Sequence, residues 1–242
     1  MLTALLHYSP LVKDNGPIYH EFNELDYIKE PWNAVSSIFF LVPVIYWVWK
    51  LRGQYKEHYI ITLILPLLAM NGIGSTMYHA LRAHQGWLVL DFLPALVMML
   101  ILGTYFWTRI LGKWWQGIMI IPLTTGLVAL VMTAYRYGII HIPDNTAPNV
   151  IYIINGLMFI GIPLTILMIR TNFAKWHLIA LTAFFLIGAI TFRSLDHPTP
   201  NPFPELMPQG THFLWHIVSA FAVFSLGWYL YYLKDMKTKK TD

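Results

Sequence analysis

The chain has 242 residues, of which 57% are hydrophobic and only 12% are charged, whereas soluble domains carry about 25% charged residues. Apolar residues extend along its whole length, which excludes a soluble domain with one anchor and favours a polytopic membrane protein. The net charge of +4 does not favour nucleic-acid binding, and the absence of cysteine excludes disulfides, thiolate catalysis and cysteine–zinc sites.

Seven apolar segments follow one another along the chain, each close to the roughly 20 residues that a helix needs to span a bilayer. Their predicted bounds are 33–50, 59–80, 87–108, 114–135, 150–169, 174–192 and 211–233. We therefore predict an all-α, polytopic membrane protein that forms a seven-transmembrane helix bundle in a single domain over 1–242. An N-terminal outer segment (1–32) precedes the helix bundle (33–233), and a basic cytoplasmic tail (234–242) follows it.

The stretch between the sixth and seventh segments is rich in proline and reads RSLDHPTPNPFPELMPQG at 193–210. Proline fixes φ and has no N–H group, so this stretch predicts an ordered or extended loop and not a helix. Arg193 and Asp196 lie near each other in this sequence and carry opposite charges. We therefore predict a structural ion pair between them that shapes the last outer loop.

Basic residues divide unequally between the two sides of the predicted bundle. Eleven of the sixteen lie in the loops after the first, third and fifth segments and in the C-terminal tail. The positive-inside rule therefore predicts a cytoplasmic C-terminus and an N-terminus on the outside or lumenal side. Nine of the twelve acidic residues lie on that outer side, which favours cation chemistry there.

Two pairs of polar residues lie four positions apart in the predicted helices: Ser75 and His79 in GSTMYH, and His212 and His216 in GTHFLWH. Residues with this spacing share one face of an α-helix. The predicted topology places His79, at the end of the second segment, at the same depth as Asp91, near the start of the third. The histidines that begin the seventh segment reach that depth too. Ionisable side chains within membrane helices are costly and mark functional sites.

Three imidazoles and one open position form the usual ligand set of a catalytic zinc ion, so we predict that His79, His212 and His216 bind zinc. Zinc lowers the pKa of a water ligand to about 7. Asp91 would accept a proton from that water or orient it. Ser75 would donate a hydrogen bond to the oxyanion that forms when a carbonyl is attacked. The pattern predicts a membrane-embedded metallohydrolase with no organic cofactor.

Other interpretations of these histidines remain open. The HxxxH spacing also fits side chains at a membrane interface, which is the interpretation we favour for His7, His20, His58, His141 and His177. Haem would require paired histidines on facing helices, whereas three histidines beside a carboxylate suit a small borderline cation. The chain could also be a seven-span receptor or regulatory protein with a structural zinc ion, or a transporter with a proton relay. Short loops disfavour the receptor, and the lack of inverted repeats disfavours the transporter.

The motifs resemble those of the alkaline ceramidase family, in its bacterial branch. The resemblance comprises GSTMYH, the aspartate in WLVLDFLP, FRSLDHP, PQGTHFLWH, and EPWNAVSS at Glu30–Ser37. The family belongs to a seven-transmembrane hydrolase superfamily that includes the adiponectin and progestin receptors. The resemblance implies a zinc-dependent intramembrane amidase that hydrolyses the amide bond of ceramide-like lipids to a fatty acid and a sphingoid-type amine. Its partner would be a membrane lipid substrate, and we predict no nucleic-acid or protein partner.

Alkaline ceramidases also hold calcium beside the zinc site, on an acidic N-terminal segment. By this resemblance Glu21, Asn23 and Glu30 match part of that segment and would bind calcium. The aspartate that begins the family's pattern is missing, because residues 19–23 read YHEFN. Calcium takes roughly six to eight oxygen ligands. For Glu30, together with Asn33, the alternative is a cap at the entry to the first helix.

Overall fold

The computed structural model describes residues 14–142, 147–197 and 201–236, with the backbone alone for 147–149. Within these ranges the chain forms helices and no strands, and seven helical spans are long and apolar enough to cross a membrane. We number these spans α1 to α7 in chain order. They are Pro31–Lys50, Tyr59–Leu81, Gln85–Leu111, Trp114–Arg136, Val150–Arg170, Trp176–Ser194 and His212–Leu233.

The predicted all-α class and the seven predicted spans are confirmed, and their bounds agree to within three residues. The largest difference is at the end of α3, which continues to Leu111. Gly112 follows with φ of 88°, a conformation that glycine adopts without a Cβ penalty. Its N–H group donates to the Thr108 carbonyl oxygen at 2.8 Å. Hydropathy does not register this signal, because Arg109 already interrupts the apolar run.

Three of the spans contain a local irregularity. In α1 a 3₁₀ turn at Ile38–Phe40 lies between the α-helical segments Pro31–Ser37 and Leu41–Lys50. Because Pro43 has no N–H group to donate to the Phe39 carbonyl, the turn before it tightens. The span α4 divides into Trp114–Ile118 and Ile120–Arg136. The span α5 contains a π-helical turn at Leu157–Gly161, between the helix Ala147–Gly156, which begins three residues before the span, and Ile162–Arg170.

Large apolar side chains lie exposed along the spans. Leu130 in α4 is 67% exposed, and Phe184 and Ile187 in α6 are 69% and 66% exposed. Soluble proteins rarely expose apolar surface on this scale. Together with the length of the seven spans, this indicates an integral multi-pass membrane protein. Which end of the chain is cytoplasmic stays a prediction.

One compact unit comprises the described residues within 14–95 and 177–234. Within it, α1 packs against both α2 and α7. Gly74 permits a close approach of α2 to the start of α3, since a Cβ atom there would lie 2.5 Å from the Leu90 carbonyl carbon. All the residues that the sequence predicts to act in catalysis or metal binding belong to this unit.

The second compact unit comprises the described residues within 96–176 and 235–236. Phe106, Phe159 and Leu167 form its buried core. Trp107 Nε1 donates to the Met158 carbonyl oxygen at 2.7 Å. The prediction that residues 1–242 form a single domain stays a prediction, and parts of its outer segment and basic tail lie outside the described residues.

Candidate metal centre

Three buried histidines from two helices meet in the first unit. His79 lies in the last turn of α2, while His212 and His216 lie in the first two turns of α7. Their ring centroids are 4.7 to 5.2 Å apart. One nitrogen from each ring lies within 4.8 Å of the other two. The predicted triad is therefore assembled, and its rings are close enough to hold one metal ion.

The ring of His79 has one bonded and one free nitrogen. Its Nδ1 lies 2.5 Å from Glu30 Oε2, and because a carboxylate only accepts hydrogen bonds, Nδ1 carries the proton. Nε2 of His79 is buried and has no hydrogen-bond partner among the described residues, and the same holds for Nδ1 of His212. Burying such nitrogens without a partner is unfavourable. A bound cation would satisfy both.

Two serines of α1 fix the ring of His216. Its Nδ1 lies 2.9 Å from Ser36 Oγ and 3.2 Å from Ser37 Oγ. Both hydroxyls donate to the Asn33 carbonyl oxygen, at 3.0 and 2.8 Å. They therefore accept from the imidazole, which places the proton on Nδ1 and leaves Nε2 available. Partners of this kind orient the histidines of known metal sites.

The donor set fits a borderline divalent cation. Three neutral imidazoles with one open position suit zinc, although the same nitrogens would bind neighbouring transition metals. No thiolate is present to favour another soft metal. The centre is thus compatible with zinc without identifying it.

Ser75 and Asp91 lie beside the triad. Ser75 is buried one turn before His79, and its Oγ lies 2.9 Å from Ser37 Oγ. The Asp91 carboxyl interacts with the Ser75 hydroxyl. Asn71 Nδ2 donates to the Asp91 carbonyl oxygen, which fixes the start of α3 against α2. The structure therefore brings together all five residues predicted to bind zinc or act in catalysis.

The three residues predicted to bind calcium each have other partners. Glu21 caps the start of α1, because its carboxylate accepts hydrogen bonds from the N–H groups of Trp32 and Asn33. Asn23 Oδ1 accepts from the Leu25 N–H group at 3.1 Å, in an exposed turn. Burial raises the pKa of Glu21, against the lowering effect of the two N–H groups. The helix-entry cap considered for Glu30 is supplied by Glu21.

Glu30 is fully buried at the centre of a charged cluster that the sequence analysis missed. Its Oε1 accepts from Arg82 Nη1, and its Oε2 accepts from His79 Nδ1 and, at 3.1 Å, from Asn33 Nδ2. Arg82 also binds Asp14, with Nε to Oδ2 at 2.8 Å and Nη2 to Oδ1 at 3.1 Å. One signal was present: Arg82 is a basic residue three positions after His79, on the predicted outer side.

Tyr19 covers the triad from the N-terminal segment. Its ring stacks on the His212 ring with centroids 3.7 Å apart, and it lies 5.6 Å from the His79 ring. Burial raises the pKa of Tyr19 above its ordinary value, so its hydroxyl stays protonated at neutral pH. Burial lowers the pKa of His197, whose ring lies 6.0 Å from Tyr19. A neutral aromatic surface therefore adjoins the centre on this side.

Asp196 fixes the start of α7. Its Oδ2 accepts from the N–H groups of Thr211 and His212, both at 2.6 Å, and its Oδ1 accepts from His20 Nδ1 at 2.8 Å. The predicted ion pair with Arg193 is wrong, because the first N–H groups of α7 bind the carboxylate instead. The Arg193 guanidinium lies 5.4 Å from the Trp215 ring.

No family model matches the chain, and no curated protein is significantly similar to it.

Proposed function

We propose that this protein is a zinc-dependent intramembrane amidase that hydrolyses the amide bond of ceramide-like lipids to a fatty acid and a sphingoid-type amine. The buried triad of His79, His212 and His216, with ring nitrogens that lack partners among the described residues, carries the proposal. The choice of a ceramide-like amide rests on the resemblance of the motifs to those of alkaline ceramidases.

The residues around the triad supply what an amide hydrolysis needs. Zinc held by three imidazoles would provide Lewis acidity and hydroxide near neutral pH. Asp91 would take a proton from the attacking water and return it to the leaving nitrogen. Ser75 would donate a hydrogen bond to the carbonyl oxygen as it gains negative charge. The water oxygen joins the carbonyl carbon, the carbon–nitrogen bond breaks, and the amine leaves with the transferred proton.

The surroundings of the site suit a substrate that stays within the bilayer. The triad is buried among apolar helices, where a low dielectric constant strengthens each polar interaction with the reacting carbonyl. Apolar side chains cover the outside of α6 and much of α1. A lipid in the bilayer would therefore meet apolar side chains on these two helices.

A comparison of two histidine variants tests the proposal. We expect His212→Ala to abolish zinc binding and hydrolysis of a fluorescent ceramide by the purified protein. The matched control is His177→Ala, an exposed histidine at the start of α6, which should retain both. The readouts are metal content and the mass of the released fatty acid and amine. Ceramide hydrolysis that survives in His212→Ala would overturn the assignment.

The alternative of a receptor with a structural zinc ion is less favoured by the contacts. Glu30 holds His79, Ser36 and Ser37 hold His216, and Asp196 holds the start of α7. The imidazoles of His79 and His216 are thus oriented by hydrogen bonds within the protein, and the His212 ring stacks on Tyr19. A metal used only to tie α2 to α7 would duplicate these contacts, whereas a preorganised site is what catalysis requires.

A further inference from the structure

We propose that Arg82 takes the place of a calcium ion beside the metal centre: its guanidinium neutralises Asp14 and Glu30 and holds Glu30 against His79, so that the chain needs no calcium. Arg82 is then a positioning residue for the triad. The inference rests on the proposed function only in taking zinc as the ion that the triad binds.

The first argument is that the carboxylate oxygens are already bound. Arg82 donates to both oxygens of Asp14 and to one oxygen of Glu30, while the other Glu30 oxygen accepts from His79 and Asn33. The oxygens of Glu21 accept from two backbone N–H groups. Calcium would need roughly six to eight oxygens, whereas every carboxylate oxygen of Asp14, Glu21 and Glu30 already accepts a hydrogen bond.

The second argument concerns the charge of the cluster. Two carboxylates are buried, with 0% exposure for both Asp14 and Glu30. A buried carboxylate without a cation is strongly unfavourable. The guanidinium is a permanent cation with five donors in a planar fork, so it can bind two carboxylates at once. Burial lowers the pKa of Arg82, but the bond to Asp14 and the charge of Glu30 raise it above its ordinary value overall.

The third argument is the aromatic environment of the cation. The Arg82 Cζ atom lies 4.7 Å from the Tyr78 ring centroid and 5.3 Å from the Phe22 ring centroid. Guanidinium groups stack on aromatic rings because they are weakly hydrated. Calcium, a hard ion that prefers oxygen ligands, would gain little from these rings. Both rings therefore favour a guanidinium over a calcium ion at this position.

The position of Arg82 links it to the triad. It ends α2 in the left-handed conformation, with φ of 47°, three residues after His79. The contacts run from Arg82 through Glu30 to His79 Nδ1. Arg82 also holds Asp14, five residues before the Tyr19 that covers His212. Losing the guanidinium would therefore disturb both the predicted zinc ligand His79 and the position of Tyr19 over His212.

The experiment measures calcium and zinc separately on the full chain in lipid nanodiscs. Wild type prepared in calcium-free buffer should bind no radioactive calcium. Added calcium should change neither its melting temperature nor its zinc affinity. Arg82→Met should lower zinc affinity by about 10- to 100-fold, the usual effect of losing a partner behind a metal ligand. Arg82→Lys should recover part of it, and Arg52→Met, an exposed arginine after α1, should match wild type.

Chemical rescue distinguishes positioning from a purely structural role. In Arg82→Ala, added guanidinium ion should restore zinc affinity, whereas sodium or methylammonium at equal concentration should not. Stoichiometric calcium binding by wild type, or wild-type zinc affinity in Arg82→Met, would overturn the inference. If Arg82→Met fails to fold, the wild-type calcium measurement and Arg82→Lys decide. None of these readouts uses lipid hydrolysis, so an inactive protein with the expected metal behaviour would refute the amidase alone.

Discussion

Two imidazoles of the triad are oriented by polar side chains at the entry to α1. Glu30 binds His79, and the hydroxyls of Ser36 and Ser37 bind His216. Glu30 accepts hydrogen bonds from three side chains, because it also binds Arg82 and Asn33. Removing one partner of a buried charge pair costs about 3–5 kcal/mol. Because these residues contact one another, replacements within the cluster should have non-additive effects on stability.

A variant that removes the negative charge of Glu30 tests whether this carboxylate supports zinc binding by His79. Glu30→Gln keeps the shape of the side chain but leaves His79 without a charged acceptor and Arg82 with one carboxylate. We expect zinc affinity to fall by about 10- to 100-fold, measured by competition with a chromophoric chelator. Glu205→Gln, at an exposed glutamate in the loop before α7, should bind zinc as wild type does. Equal affinities in the two variants would contradict this account of His79.

At the level of elements, the spacing of α2 and α3 sets the distance between Ser75 and Asp91. Gly74 precedes Ser75, and a Cβ atom there would lie 2.5 Å and 2.6 Å from the carbonyl carbon and oxygen of Leu90. Both are backbone atoms, so they cannot rotate away. Because Leu90 precedes Asp91, any shift of this backbone displaces the carboxyl group.

Gly74→Ala is therefore expected to slow ceramide hydrolysis. Zinc should stay bound, because none of the three histidines lies on α3, the helix that the added methyl group would displace. The matched control is Gly126→Ala, where a Cβ atom would meet open space. That variant should keep its activity and gain up to about 0.5–1 kcal/mol of helix stability. The measurements are turnover, zinc content and melting temperature. Wild-type turnover in Gly74→Ala would show that hydrolysis does not depend on the close spacing of α2 and α3.

At the level of the whole molecule, removal of the metal separates a catalytic from a structural ion. We expect the wild type stripped of metal to lose hydrolysis but to remain folded, because protein contacts hold the triad. Zinc at about 100 times its dissociation constant should then add only about 2.7 kcal/mol to the free energy of unfolding. Zinc should restore activity, whereas magnesium, which prefers oxygen ligands, should not. Unfolding of the stripped protein would favour the receptor alternative.

Hydropathy was sufficient to predict the seven spans, because a membrane helix needs a continuous apolar run of nearly fixed length. The triad was predictable for a similar reason. The four-residue spacing of His212 and His216 fixes their helix face, and the alternation of spans brings His79 to the same end. Both signals are local and periodic, so they can be recognised in the sequence without any knowledge of side-chain packing.

The contacts that orient the triad were not predictable in this way. Arg82 and Asp14 are 68 positions apart, and Asp196 reaches α7 from 15 positions before it. These residues lie outside the spans, where no periodicity indicates which groups will meet. The wrong Arg193–Asp196 pair shows the difficulty. Nearness in sequence suggested a partner, but the N–H groups of α7 were better placed to bind the carboxylate.

The loop at residues 23–28 is exposed, with Leu25 and Tyr27 each 94% accessible. Asp14 lies before this loop and Glu30 follows it, and Arg82 grips both. A protease that cut this loop would leave two fragments still joined by several contacts, among them Arg82 with Asp14, Glu21 with the N–H groups of Trp32 and Asn33, and His20 with Asp196. The cut chain would therefore stay assembled. A denaturing gel would show two fragments while the histidine triad kept its arrangement.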